Sequence, residues 1–114
     1  TKAAEWHNAA NAPDFDEMED ADIVRYARDR DALCLYGWSP YFHNPRLKNW
    51  LGRIAVPTLV VAGEHDGIVS PDYARAFAGS IPNARFETIA QAAHHPDVEQ
   101  PESLARLVAA FIGA

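Results

Sequence analysis

Two residues of the chain, an aspartate and a histidine in separate loops, have side chains that together could transfer a proton. Asp66 follows the apolar run of residues 58–62, and His94 follows the alternating segment of residues 84–89. An aspartate that accepts a hydrogen bond from histidine Nδ1 fixes the ring's tautomer and leaves the opposite nitrogen free to act as a general base. Acid before histidine is one of the orders in which nucleophile–histidine–acid triads occur. The pair could therefore supply two of the three members of such a triad.

The elements that carry these two loops predict an α/β fold. Residues 58–62 are apolar with no polar face, which is typical of a parallel strand covered by helices on both sides. Ser70 as N-cap and Pro71 at the first helical position begin a helix, and Pro101 opens another with apolar side chains at helical spacing. The order strand, helix, strand, helix predicts parallel strands. Their carboxyl ends share one edge of the sheet, where catalytic groups gather in such folds.

The first 50 residues have a different pattern. Residues 1–16 hold no clear period and are interpreted as a loop or a frayed short helix. An apolar stripe from Glu17 to Leu33 predicts an amphipathic helix. Residues 34–53 are aromatic and interrupted by prolines, which indicates irregular structure with a short helix near its end. The sequence thus predicts a helical and irregular segment over residues 1–50 and an α/β part over residues 51–114.

Three aromatic residues of the irregular stretch, Trp38, Tyr41 and Phe42, are the candidates for binding a substrate. Aromatic side chains at this density on a loop either fill a satellite core or line an apolar pocket. Both interpretations stay open, because a pocket next to a core needs both kinds of packing. A substrate bound by such side chains is expected to be small and apolar.

The two loops resemble motifs of the α/β-hydrolase-fold family. Residues 57–66 are similar to the family's seventh strand as it runs into the acid loop. Residues 93–101 are similar to its histidine loop, commonly Gly-His-x-Pro-x-x-Glu-x-Pro, with Ala93 in place of the usual glycine. Glu99, the glutamate of that motif, is expected to stabilise the start of the following helix.

This resemblance implies a role for each matching residue. Asp66 takes the position of the acid and His94 that of the general base, while His95 falls on a variable position. Residues 51–112 would form the C-terminal portion of the fold. Residues 1–33 resemble part of a cap by their position, and residues 34–50 resemble the linker that returns from the cap to the core. No cofactor or metal is expected for such a hydrolase.

The family's nucleophile lies on a strand–turn–helix elbow, usually Gly-x-Ser-x-Gly, upstream of the acid. The sequence contains no such elbow. Ser39 comes nearest, but no strand is predicted before it, and Pro40 after it has no N–H to donate to an oxyanion. Ser39 is therefore rejected as the nucleophile. The chain, which starts at Thr1, is predicted to be the C-terminal portion of a hydrolase, inactive without an upstream half that carries the nucleophile.

Other interpretations of the same residues stay open. Asp66 could simply cap a turn, and His94 could be a hydrogen-bonded structural histidine. A metal site could form from His65, Asp66, His94 and His95. The chain could also be a non-catalytic module that self-associates or pairs with another chain through its sheet edge. As a hydrolase it is predicted to act on a small apolar ester, amide or related acyl compound, although the family also opens epoxides, removes halides and cleaves C–C bonds.

Length and composition exclude several classes of protein. The 114 residues amount to one domain or part of one, and 48 % of them are hydrophobic, as in globular domains. The net charge of −6 disfavours nucleic acid and anionic membrane surfaces as partners. No apolar run approaches the roughly 20 residues that a membrane span needs. Cys34 is the single cysteine, which fits a reducing compartment, and a cytoplasmic location is expected.

Overall fold

The computed structural model describes residues 2–37 and 42–113. The helices are α1 (Lys2–Glu5), α2 (Asp20–Gly37), α3 (Leu47–Leu51), α4 (Pro71–Ala78), α5 (Pro96–Glu99) and α6 (Pro101–Ile112), with a 3₁₀ turn at Ala9–Asn11. The strands are β1 (Thr58–Gly63) and β2 (Ala84–Ile89). The chain divides into two compact units, one of residues 1–12 and 48–114 and the other of residues 13–47.

The sheet of the first unit consists of two parallel strands, which confirms the predicted α/β class. Thr58 pairs with Ala84, and the register continues without a break to Gly63 and Ile89. β1 begins directly after Pro57, as expected because proline cannot donate a ladder hydrogen bond. Most residues of β1 are half-buried, so the described part of this chain does not by itself enclose the strand on both faces. In the part of the chain that the structure describes, β2 is the only strand beside β1.

Two helices follow the strands as the sequence predicts. α4 packs against both β1 and β2, and its N-cap Ser70 accepts a hydrogen bond at its Oγ from the Tyr73 N–H at 3.2 Å. α6 ends at Gly113, whose φ of 78° lies in the left-handed region that suits glycine. The apolar stripe of α6 is only partly covered, since Ile112 is 68 % exposed. The helix therefore has an apolar face that the sheet leaves open.

Helix α2 makes up much of the second unit. It runs from Asp20 to Gly37, so the predicted bounds were wrong at both ends. The helix continues through the first residues of the stretch expected to be irregular, because no proline occurs there before Pro40. Its predicted apolar stripe is mostly exposed, although Tyr26 packs edge-on against Phe15 with ring centroids 5.1 Å apart. None of the helices in residues 2–37 and 42–113 is long and apolar enough to cross a membrane.

The two compact units differ from the predicted division at residue 50 in one respect. Residues 1–12 belong to the same unit as the sheet, whereas the sequence grouped them with the cap-like segment. The other boundary of the compact units falls between Leu47 and Lys48. The functional meaning of the division stays a prediction.

Candidate active site

Backbone hydrogen bonds beyond the carboxyl ends of β1 and β2 join the two loops of interest. The Glu64 N–H donates to the Ile89 carbonyl, and the His65 N–H donates to the Ala92 carbonyl, both at 2.9 Å. Asp66 then lies in a tight turn in which its own N–H donates to the Gly63 carbonyl at 3.2 Å. These bonds hold the loop after β1 against the loop after β2, at the edge of the sheet where the sequence predicts the site.

Gly63 lets the backbone of the histidine loop approach the end of β1. A Cβ at this position would overlap the Ala93 carbonyl oxygen and lie 2.6 Å from the Ala92 carbonyl oxygen. Both obstacles are backbone atoms, so a side chain here requires the histidine loop to move.

Gly63→Ala is therefore expected to lower the free energy of unfolding by about 2 kcal/mol or more. The thermal midpoint, followed by circular dichroism, should fall by on the order of 10 °C. Gly52→Ala is the matched control, because a Cβ there meets no atom within 4 Å. Equal midpoints for the two variants would contradict the close approach at Gly63.

The structure brings Asp66 and His94 into direct contact. Asp66 Oδ2 lies 3.0 Å from His94 Nδ1, within the range of about 2.6–3.2 Å expected for a catalytic hydrogen bond. The Asp66 side chain is 8 % exposed, whereas that of His94 is 36 % exposed. With the proton on Nδ1, the ring donates to the carboxylate and its Nε2 carries the lone pair. A partly accessible imidazole held on a buried carboxylate is the geometry that a general base needs.

The second oxygen of Asp66 organises its own loop. Oδ1 accepts hydrogen bonds from the Ile68 N–H at 2.8 Å and the Val69 N–H at 2.9 Å. Burial acts to raise the pKa of Asp66, but the hydrogen bonds from Val69, His94 and Ile68 outweigh it and lower that pKa below its usual value. The carboxylate is thus ionised at neutral pH. Oδ1 therefore caps the turn, while Oδ2 contacts His94.

The two other histidines of these loops have different partners. His95 Nε2 lies 3.1 Å from Glu5 Oε1, and its ring stacks on Trp6 with centroids 4.4 Å apart. His65 stacks on His7 at 4.5 Å. Across the described ranges, no group of three or more histidine, cysteine or acidic side chains is placed to hold a metal ion. The metal-site interpretation therefore has no support in this geometry.

Two of the three predicted substrate-binding residues, Trp38 and Tyr41, lie outside the described residues, as does Ser39. Phe42 belongs to the second unit and is 72 % exposed. Its ring occupies the space that a Cβ on Gly37 would take. A role for these aromatic residues in binding substrate stays a prediction.

Sequence reasoning missed the contribution of the N-terminal segment. The Gly67 N–H donates to the Ala4 carbonyl at 2.8 Å, and the His94 N–H donates to the Glu5 carbonyl at 2.9 Å. Glu99 accepts the Asn8 N–H at 2.7 Å. Residues 4–8 therefore run along both the acid loop and the histidine loop. The polar and alanine-rich sequence there holds no period, so it offers no signal for these contacts.

Comparison with known proteins assigns the chain to a family. Residues 9–101, well over half of the chain, match the family described as alpha/beta hydrolase fold. The chain belongs to that family, which confirms the resemblance drawn from the two loops. A curated relative, the pimeloyl-[acyl-carrier protein] methyl ester esterase of Serratia marcescens, is 31 % identical over 64 residues. That alignment covers 56 % of this chain and 25 % of the esterase, so the chain spans about a quarter of the length of the relative it matches.

Proposed function

We propose that this chain is the C-terminal part of an esterase in which Asp66 orients His94 and His94 acts as the general base. The observation that carries the proposal is the 3.0 Å contact between Asp66 Oδ2 and His94 Nδ1 in a member of the alpha/beta hydrolase fold family. In this mechanism, His94 Nε2 takes the proton of the attacking nucleophile. Asp66 stabilises the imidazolium that forms, and His94 then gives the proton to the leaving alcohol.

The proposed substrate is a small apolar ester or a related acyl compound. Two features support this class, the methyl ester named for the relative and the aromatic residues Trp38, Tyr41 and Phe42 of this chain. Aromatic side chains favour apolar groups on a ligand, while the Asp66–His94 pair serves acyl transfer. Hydrolysis would break the acyl C–O bond and consume one water.

The proposed nucleophile lies on a part of the protein outside these 114 residues. The sequence has no Gly-x-Ser-x-Gly elbow, and the alignment with the esterase covers a quarter of that enzyme. Among the described residues, β1 pairs with β2 on one side only. A strand from the nucleophile-bearing part could pair with the other edge of β1 through its free N–H and C=O groups.

The experiment mixes this chain with the separately expressed part encoded upstream of Thr1 and measures hydrolysis of p-nitrophenyl butyrate. Turnover is expected for the mixture and for neither part alone, because only the mixture holds nucleophile, base and acid together. Turnover by the 114-residue chain alone would contradict the proposed place of the nucleophile. A stable mixed complex without turnover would contradict the esterase assignment.

Sedimentation and ANS fluorescence on the same samples test the second candidate, a non-catalytic module that self-associates. That candidate is favoured by two observations. Among the described residues β1 pairs with one strand only, and apolar side chains such as Val56, Ile68 and Ile112 are exposed. Under the esterase proposal, the chain alone binds ANS or self-associates, and the upstream part removes both behaviours. Self-association that persists in the mixture would favour the non-catalytic module.

A further inference from the structure

Glu99 is a carboxylate close to His94 that the proposed mechanism does not use. Its Oε2 accepts the Ala93 N–H at 2.7 Å, and its Oε1 accepts the Asn8 N–H at 2.7 Å. Burial acts to raise the pKa of Glu99, but the hydrogen bonds from Ala93, Asn8, His7 and Asn11 outweigh it and lower that pKa. Glu99 is thus ionised at neutral pH. Both contacts are short, charge-assisted hydrogen bonds, which are about twice as strong as neutral ones.

These contacts fix the backbone at the residue before the histidine. Helix α5 turns the chain back so that Glu99 reaches Ala93, six residues earlier. The next N–H, that of His94, donates to the Glu5 carbonyl at 2.9 Å. Two consecutive N–H groups of the histidine loop are therefore held, one by a side chain and one by the N-terminal segment.

The same carboxylate also holds that N-terminal segment. Asn8 lies three residues after Glu5, so Glu99 binds the segment close to the point where the His94 N–H is accepted. The carbonyl oxygen of Ala93, in turn, packs against Gly63 at the end of β1. The backbone that sets the direction of the His94 side chain is thereby fixed from the strand, from the helix turn and from the N-terminal segment.

We propose that Glu99 is a positioning residue for His94. Its carboxylate joins the Ala93 N–H to the Asn8 N–H, and this holds the imidazole at hydrogen-bonding distance from Asp66. Glu99 acts through the backbone, with no contact to a reacting atom required. This inference rests on the proposed function, because it assigns Glu99 a role in supporting His94 as the general base. The geometry of the Asp66–His94 contact can nevertheless be measured without turnover.

The test is Glu99→Gln in the full 114-residue chain. Glutamine keeps the size of the side chain but replaces one carboxylate oxygen by an amide nitrogen, which only donates. Because Ala93 and Asn8 are bound by different oxygens of Glu99, one of the two N–H groups loses its acceptor. Nuclear magnetic resonance with labelled histidine, assigned with a His94→Gln variant, reports the proton on His94 Nδ1. Its exchange with solvent is expected to become about 10-fold faster or more, as for loss of a hydrogen bond to a charged group. The carboxyl titration of Asp66 should shift to higher pH, because the hydrogen bond from His94 weakens.

Glu102→Gln is the matched control. It removes the same charge from an exposed position in the first turn of α6. The proposal expects wild-type His94 and Asp66 signals in this control and altered signals in Glu99→Gln. It is overturned if a folded Glu99→Gln variant keeps both wild-type signals.

If Glu99→Gln does not fold, a second substitution tests the proposal. Glu99→Asp keeps the charge but is one methylene shorter, so it cannot span both N–H groups. Faster exchange at His94 Nδ1 in folded Glu99→Asp supports the positioning role, and unchanged exchange overturns it. Because none of these signals depends on ester hydrolysis, a failed esterase assay and a failed positioning role give different results.

Discussion

His94→Ala is expected to lower kcat/KM for a p-nitrophenyl ester by a factor of about 10⁴ in the active mixture of this chain and the upstream part. Without the imidazole, no group is placed to take the proton of the nucleophile or to return it to the leaving alcohol. The Asp66 carboxylate cannot replace it, because its Oδ1 is engaged with the Ile68 and Val69 N–H groups and its lowered pKa makes it a weak base. Initial rates at several ester concentrations measure the loss.

Ser39→Ala is the companion variant for this measurement. Ser39 precedes a proline and is rejected as the nucleophile, so its removal should leave kcat/KM within about twofold of the wild-type value. A loss as large as that of His94→Ala would identify Ser39 as the nucleophile and place the whole triad on this chain. A small loss of kcat/KM in His94→Ala would instead contradict the role of His94 as the general base.

The parts of the fold that sequence reasoning predicted well are those determined by neighbouring residues. The bounds of β2 are the predicted ones, and β1 extends beyond the predicted run by Gly63 alone. The start of α4 follows from Ser70, whose side chain does cap the helix. Alternation, apolar runs and capping residues act over a few positions, so they can be recognised in a single sequence.

The helix α2 shows where such local signals are ambiguous. Its last residues, including Tyr36, are aromatic and apolar, and this composition predicts irregular structure. Aromatic residues have only a modest effect on helix formation, whereas proline ends a helix. The helix therefore continues past the predicted end at Leu33 to Gly37.

One contact at the candidate site was predictable from the sequence, and its surroundings were not. The contact between Asp66 and His94 follows from two parallel strands whose ends share one edge of the sheet. The contact between Asn8 and Glu99 joins residues 91 positions apart, and neither lies on a periodic element that points to the other. Such a contact depends on how the whole chain packs, which no short pattern encodes.

In the active mixture of this chain and the upstream part, Asp66→Asn is expected to lower kcat/KM by a factor of about 10⁴ while the fold at neutral pH is retained. The asparagine oxygen can still accept the Ile68 and Val69 N–H groups, so the turn keeps its caps. Its amide nitrogen, however, cannot accept the His94 Nδ1 proton. The imidazole then favours the other tautomer, with the proton on Nε2, and the base is lost. Ester hydrolysis and circular dichroism on the same preparation separate loss of activity from loss of fold.

The same substitution should also change how stability depends on pH. The pKa of Asp66 is lower in the folded chain than its usual value, so its ionised form stabilises the fold. This contribution is fully present above the unfolded pKa of about 3.9 and is lost as pH falls through the lower folded pKa. Asp66→Asn has no such group, so its thermal midpoint should fall less steeply than that of the wild type below about pH 4. If the thermal midpoints of the wild type and Asp66→Asn fall in parallel as the pH is lowered, the ionised form of Asp66 does not stabilise the fold.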